Sequence, residues 1–193
     1  EFEKQRQNAA AAEHYAKVSG HANKMLYELE KPLVAMIRGF CDGGGLGVAR
    51  GADVRFATPD SKFGITAAKL GLGYSFEGMK ILVDLVGLSN AKNILFSGRM
   101  FDASEALSIG LVNQIVPAEE LETAVREYAA VVAGNAPLTG KSVKAGSREA
   151  LKDPDSRDLV KLNKMIRQCF NSRDYAEGRK AFMEKRRPVF TGK

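Results

Sequence analysis

Lys31-Pro-Leu-Val-Ala-Met-Ile-Arg-Gly-Phe-Cys-Asp-Gly-Gly-Gly-Leu-Gly47 is an apolar, β-branched stretch that runs into Gly43, Gly44 and Gly45 and then into a helical pattern. Consecutive glycines between a strand and a helix let the backbone come close to a ligand and leave its N–H groups free. At the positive end of a helix dipole, such N–H groups stabilise a developing oxyanion. A bare structural turn uses the same residues, so the run by itself fixes no chemistry.

Outward from this stretch the pattern falls into three parts. Residues 3–30 are polar and alanine-rich, broken only at Gly20, and read as one helix or two until Pro32 ends the helix and opens the strand. Residues 33–116 alternate short apolar strands (Leu33–Ile37, Val54–Ala57 and Leu111–Val116) with helical patterns, as βα or ββα units do. From Ala118 the periodicity is helical, with helices expected over Glu119–Ala133, Thr139–Leu151 and Asp155–Asn171. Gly134, Asn135 and Pro137 stop the first of these. No internal repeat or low-complexity segment is visible.

Composition narrows the class. At 193 residues and 45% hydrophobic, the chain can bury one substantial core and a smaller helical lobe. No apolar run is long enough to span a bilayer and no signal-peptide pattern opens the sequence, so no membrane partner is expected. Two cysteines, Cys41 and Cys169, make no disulfide framework, which points to buried free thiols in a reducing, cytoplasmic setting. Neither has ligand neighbours at metal-binding spacing. The formal charge of +6 raises nucleic acid as a partner. The aromatics do not interleave with the basic residues as a stacking platform requires, so nucleic acid is not expected. The basic cluster Lys185-Arg186-Arg187, with Arg179 and Lys180, suits either a solvated terminal helix or a phosphate-bearing ligand. A phosphate-binding glycine loop is disfavoured, because no Gly-Lys-Ser/Thr follows the glycines and no G-x-G-x-x-G occurs with an acidic ribose partner downstream.

The stretch from Lys31 to Ala57, with Gly51-Ala-Asp53 after the helix, resembles the enoyl-CoA hydratase/isomerase (crotonase) family. Further segments carry the resemblance in the family's order: Ser61-Lys-Phe-Gly64, Ile81–Gly87 with Ala91-Lys92, Phe96–Asn113, and Glu177-Gly-Arg-Lys-Ala-Phe182-Met-Glu-Lys185-Arg near the end. The resemblance implies an α/β fold, a crotonase-type spiral core of ββα units over residues 1–116 with a C-terminal helical lobe over 117–193. It implies an acyl-CoA substrate, no cofactor beyond that coenzyme A thioester, and packing as a homotrimer or dimer of trimers. The apolar positions Leu159, Leu162, Met165, Ile166 and Phe170 in the late helices suit such packing. Phe182 and Lys185 are then expected near the CoA, and Gly43 and Gly45 flank the Gly44 N–H that polarises the thioester carbonyl. In the family a first lobe of strands supplies a second such N–H before the point where this sequence opens, so Gly44 is the one oxyanion donor expected within it.

The chemistry departs from the family pattern. A hydratase of this kind uses two glutamates, one to position and deprotonate water and one to supply a proton to the α-carbon. Those positions fall on Gly47 and Ala67, neither of which can exchange a proton. Other branches of the family place an aspartate where this chain has Tyr74 or Ser75. Tyr74 is therefore a candidate hydrogen-bond partner for substrate. Ser75 and Glu77 are candidates as well, although a helix N-cap and a dipole-favoured acid in the first turn account for them equally. Asp42 beside the glycines suits a turn, and His14 and His21 suit the surface of the leading helix. The alternatives are an acyl-CoA-binding pseudo-enzyme or a crotonase-type reaction that uses no glutamate pair.

Overall fold

The computed structural model describes residues 9–193. Residues 3–8 of the expected leading helix lie outside them. Helix α1 spans Ala9–Glu28 without a break at Gly20. The strands that follow are short: β1 (Val34–Ile37) and β2 (Phe40–Asp42) flank a turn at Gly39, whose φ of +65° is accessible to glycine at little cost. Helix α2 (Gly43–Ala49) follows β2 directly.

The remaining core elements are β3 (Val54–Ala57), β4 (Lys62–Gly64), a single 3₁₀ turn over Ala67–Leu70, helix α3 (Phe76–Ser97), β5 (Met100–Asp102), helix α4 (Ala103–Ser108) and β6 (Gln114–Ile115). They form two three-stranded sheets of order β1-β3-β6 and β2-β4-β5. β2 runs parallel to β4 and β4 antiparallel to β5, with Cys41 opposite Phe63 and Phe63 opposite Phe101. Each ββα repeat thus contributes strands to both sheets before its helix covers them. The apolar residues that meet between these layers include Leu46, Ala57, Phe63, Leu82, Ile94, Phe101 and Leu111, all buried.

The buried polar side chains Arg55, Thr58 and Ser61 find partners within this core. Buried Arg55 donates from Nε to the Leu111 carbonyl at 2.6 Å and from Nη1 to the Ala52 carbonyl at 2.5 Å. Asn113 adds bonds to and from the Arg55 backbone, at 2.8 and 2.9 Å. Burial pushes the Arg55 guanidinium below its ordinary pKa. This arrangement explains a difference from the sequence reading: residues 111–113 bond to β3 through loop geometry, so the expected strand over Leu111–Val116 shrinks to Gln114–Ile115.

Helix α3 is interrupted at Gly87 (φ +79°, ψ 159°) and ends at Gly98 in the left-handed region. Gly64 is needed for a different reason, close approach. A Cβ there would lie 2.6 Å from Met100 Sδ and 3.0 Å from the Arg99 carbonyl across the β4–β5 ladder. Gly64→Ala is expected to cost about 1–3 kcal/mol. For a chain of this length that lowers Tm by roughly 2–4 °C per kcal/mol. A melt unchanged from wild type would contradict the close packing of this ladder.

A second compact unit comprises residues 30–34 and 119–193; the first holds the described part of the leading segment to Leu29 together with Ala35–Ala118. The second unit contains helices α5 (Leu121–Ala133), α6 (Pro137–Ala150), α7 (Leu159–Phe170) and α8 (Arg173–Met183). Lys144 Nζ donates to the Lys31 carbonyl at 2.8 Å, which ties the segment before β1 to α6. Among the described residues no helix is long and apolar enough to cross a membrane.

Candidate active site

The glycines do not precede α2 as a loop; they are its first turn. Asp42 holds the N-cap position, extended at φ −123° and ψ 166°, and Gly43 (φ +46°) turns the chain so that Gly44 and Gly45 follow as helical residues. The first N–H groups of any helix have no partner within it. Asp42, an exposed residue, makes no side-chain cap here, so its carboxylate does not occupy them. Gly44 itself is exposed, and a Cβ built on it would lie 3.7 Å from the phenol oxygen of Tyr15 on α1. Tyr15 was not singled out from the sequence, because nothing in a polar helix marks which residue faces an element 29 positions later.

Gly47 lies one turn beyond Gly44, and a Cβ at Gly47 would meet no atom within 4 Å. Ala67 opens the 3₁₀ turn, half-buried against the core. Neither position carries a proton-transferring group.

Tyr74, Ser75 and Glu77 come together at the start of α3. Ser75 is its N-cap, accepting a hydrogen bond from the Gly78 N–H at 3.1 Å, and Glu77 lies exposed in the first turn. These two roles are structural. Tyr74 is half-buried, with the Arg50 guanidinium 5.6 Å from the centre of its ring. Arg50, the C-cap of α2, also donates from Nη1 to the Gly78 carbonyl at 2.5 Å. A Cβ at Gly78 would stand 2.9 Å from Tyr74 Cε1, 3.1 Å from Ser75 Oγ and 3.2 Å from Arg50 Nη2. Glycine at this position is what lets the three side chains close on one another. Arg50 was missed in the sequence because its partners lie 24 and 28 residues later.

Phe182 and Lys185 belong to the second unit. Phe182 is 83% exposed at the end of α8, and Lys185 follows with φ +54° in the turn that closes the helix. The neighbouring basic cluster is partly spent. Arg186 forms a two-pronged pair with Glu177 at 2.6 and 2.9 Å and bonds Glu184 at 2.6 Å, while Arg179 lies 5.8 Å from the centre of the Tyr175 ring. With Arg186 and the Val189 N–H upon it, Glu177 is held down to about 2. Its charge therefore persists well below the ordinary carboxylate range, and this clasp loosens only as pH falls toward 2.

Within the same unit, Leu138, Val143, Ile166, Phe170, Tyr175 and Phe182 line an apolar cavity of about 680 Å³. Cys169 borders it half-buried, less enclosed than expected, whereas Cys41 is buried in the core and its thiol is pushed up to about 11. Among the described residues, no group of His, Cys, Asp and Glu is arranged to hold a metal ion.

The enoyl-CoA hydratase/isomerase profile matches residues 2–193. The chain is 35% identical over 159 residues to the short-chain-enoyl-CoA hydratase of Clostridium acetobutylicum, covering 82% of this chain and 61% of that protein. It is 32% identical over 186 residues to the crotonyl-CoA hydratase of Syntrophomonas wolfei, covering 96% and 72% respectively. Its fold superposes on the crystal structure of an enoyl-CoA hydratase/carnitine racemase from Magnetospirillum magneticum with a TM-score of 0.91 at 32% identity, covering all of this chain and 71% of that one. The chain thus spans between three-fifths and three-quarters of the length of these relatives. The α/β architecture is the crotonase fold, and the chain belongs to the enoyl-CoA hydratase/isomerase family.

Proposed function

We propose that this chain carries the thioester-polarising part of an acyl-CoA enzyme of the hydratase/isomerase type, with the proton-transferring glutamates absent. The observation that supports the reading is Gly44, an exposed residue in the first turn of α2 whose N–H has no partner within the helix and no side-chain cap from Asp42. A thioester carbonyl placed against it would accept that hydrogen bond, and more strongly as an enolate develops. Gly43 and Gly45 keep the approach clear of side chains. No cofactor is called for, and the thiols of Cys41 and Cys169 suit a reducing cytoplasm. The relatives named as hydratases act on short enoyl-CoA thioesters, which makes acyl-CoA the substrate class here; no role for nucleic acid or membrane enters this reading.

Tyr74 is the one candidate of the loop before α3 whose side chain is not already used as a cap, and we assign it to substrate contact. Phe182 and Lys185 are assigned to the CoA moiety. Assembly as a trimer or dimer of trimers is supported by α7, which buries none of its residues fully and exposes Leu159, Ile166 and Phe170.

Two measurements test this reading. Titration calorimetry is expected to give tighter binding of butyryl-CoA than of free CoA, because only the former presents a carbonyl to Gly44; equal affinities would contradict the assignment. Light scattering at micromolar concentration is expected to give a trimer or hexamer mass, and a monomer would count against the assembly.

A further inference from the structure

We infer that Glu177 and Arg186 are positioning residues for Lys185: their clasp holds its backbone in a left-handed conformation that presents the ammonium to a phosphate of the CoA moiety. The inference rests on the assignment of Lys185 to CoA and concerns what fixes that contact. Among the described residues, Lys185 is the one non-glycine residue at positive φ, +54°. Crowding of Cβ against the neighbouring carbonyl makes this conformation unfavourable for residues other than glycine. Residues held in it by their surroundings cluster at functional sites.

The turn around Lys185 has the hydrogen bonds of a helix stop in which glycine is the usual residue. The Arg186 N–H donates to the Ala181 carbonyl at 3.0 Å and the Lys185 N–H to the Phe182 carbonyl at 3.3 Å, the two bonds of a Schellman motif closing α8. In that motif an apolar residue often follows the left-handed one and packs back on the helix. Arg186 stands there instead. Its guanidinium reaches back to Glu177 through two bonds at 2.6 and 2.9 Å, and Glu184 accepts a third at 2.6 Å. Glu177 also accepts from the Val189 N–H at 3.0 Å, and buried Asp174 from the Thr191 and Gly192 N–H groups at 2.7 and 2.8 Å. The chain is thereby held to α8 on both sides of Lys185.

The Lys185 side chain is left over by this arrangement. It is exposed, and no carboxylate among the described residues pairs with its ammonium. Arg186, by contrast, is engaged by two carboxylates. A glycine at position 185 would close the helix with less strain and offer no cation, so what the side chain binds accounts for its presence. An ammonium with three rotatable donors meets phosphate oxygens as a point charge. With the backbone beneath it fixed, less of its freedom remains to be lost on binding.

The test is titration calorimetry with three thioesters: butyryl-CoA, butyryl-dephospho-CoA, which lacks the 3′-phosphate, and S-butyryl-pantetheine, which lacks the nucleotide and all its phosphates. Lys185→Met is expected to bind butyryl-CoA about tenfold more weakly than wild type and S-butyryl-pantetheine equally well. Glu177→Gln is expected to lose most of the same phosphate-dependent affinity. The double variant is expected to lose no more than Lys185→Met alone, because both changes act on one contact. A loss in Lys185→Met that persists with butyryl-dephospho-CoA supports the inference with the pyrophosphate as the partner; one that vanishes supports it with the 3′-phosphate. Lys185→Gly separates positioning from folding: it is expected to melt about 2–4 °C above wild type as the strain is relieved, while losing the same affinity. Should Glu177→Gln not fold, Arg186→Lys, which keeps the charge and loses the fork, takes its place with the same expectation. Full butyryl-CoA affinity in the folded clasp variant beside a weakened Lys185→Met, or a Lys185→Gly melt no higher than wild type, overturns the inference and leaves the assignment of Lys185 standing. Unchanged butyryl-CoA affinity in Lys185→Met overturns both.

Discussion

Gly44→Pro is expected to lower the residual acyl-CoA turnover of the wild type by about 10²–10³-fold in a protein that still folds. Loss of one oxyanion donor costs about 10²–10³-fold in rate where it has been measured. The structure makes this substitution unusually clean. Gly44 is the second residue of α2, in the first turn, where proline is tolerated because the missing N–H has no intrahelical partner. The donor is therefore removed without breaking the helix ladder. Gly44→Ala is the matching control: its Cβ would rest 3.7 Å from the Tyr15 phenol oxygen, an ordinary contact, and the N–H is retained. Activity kept in Gly44→Ala and lost in Gly44→Pro, with equal thermal melts, is the expected pair of results. Equal turnover in a folded Gly44→Pro protein would remove Gly44 from the chemistry.

The second large effect runs in the opposite direction. Gly47→Glu combined with Ala67→Glu is expected to raise crotonyl-CoA hydration by about 10²–10⁴-fold, the usual contribution of positioned acid–base groups. Position 47 is open, so a glutamate there enters free space. Position 67 is tighter, since Ala67 packs against the core, and a glutamate there also costs stability, about 1–3 kcal/mol if it overpacks. Gly47→Glu alone should therefore fold as wild type, with the Tm penalty confined to the variants that contain Ala67→Glu. A double mutant that melts cooperatively, binds crotonyl-CoA and hydrates it no faster than wild type would show that the missing glutamates are not what limits the reaction.

Much of this was legible in the residues, and what was not has a physical cause. Strand β3 and helices α5, α6 and α7 follow from local apolar periodicity, and the Ser75 cap from a serine set before a helical run. The glycine run was read as a linker, yet helix α2 begins inside it: one residue at positive φ, Gly43, turns the strand so sharply that the next two are already helical. The strand expected over Leu111–Val116 was shortened by buried Arg55, whose side-chain bonds replace a ladder that periodicity alone cannot distinguish from it. Contacts between distant positions were out of reach altogether. Arg50 with Tyr74 and Gly78, Tyr15 with Gly44, and Arg186 with Glu177 all depend on how elements pack. The basic cluster at residues 185–187 therefore looked more available to a phosphate than Arg186 is.

On the proposed function, carbonyl polarisation at Gly44 is retained while managed proton transfer is not. Steady-state hydration of crotonyl-CoA by the wild-type protein, measured beside a binding titration with the same thioester, tests it most directly. The expected result is saturable binding with kcat/KM far below the ordinary enzyme range of roughly 10⁴–10⁸ M⁻¹s⁻¹. A value within that range would contradict this reading and transfer the acid–base work to Tyr74, Glu77, Asp42 or a residue of the family's first lobe.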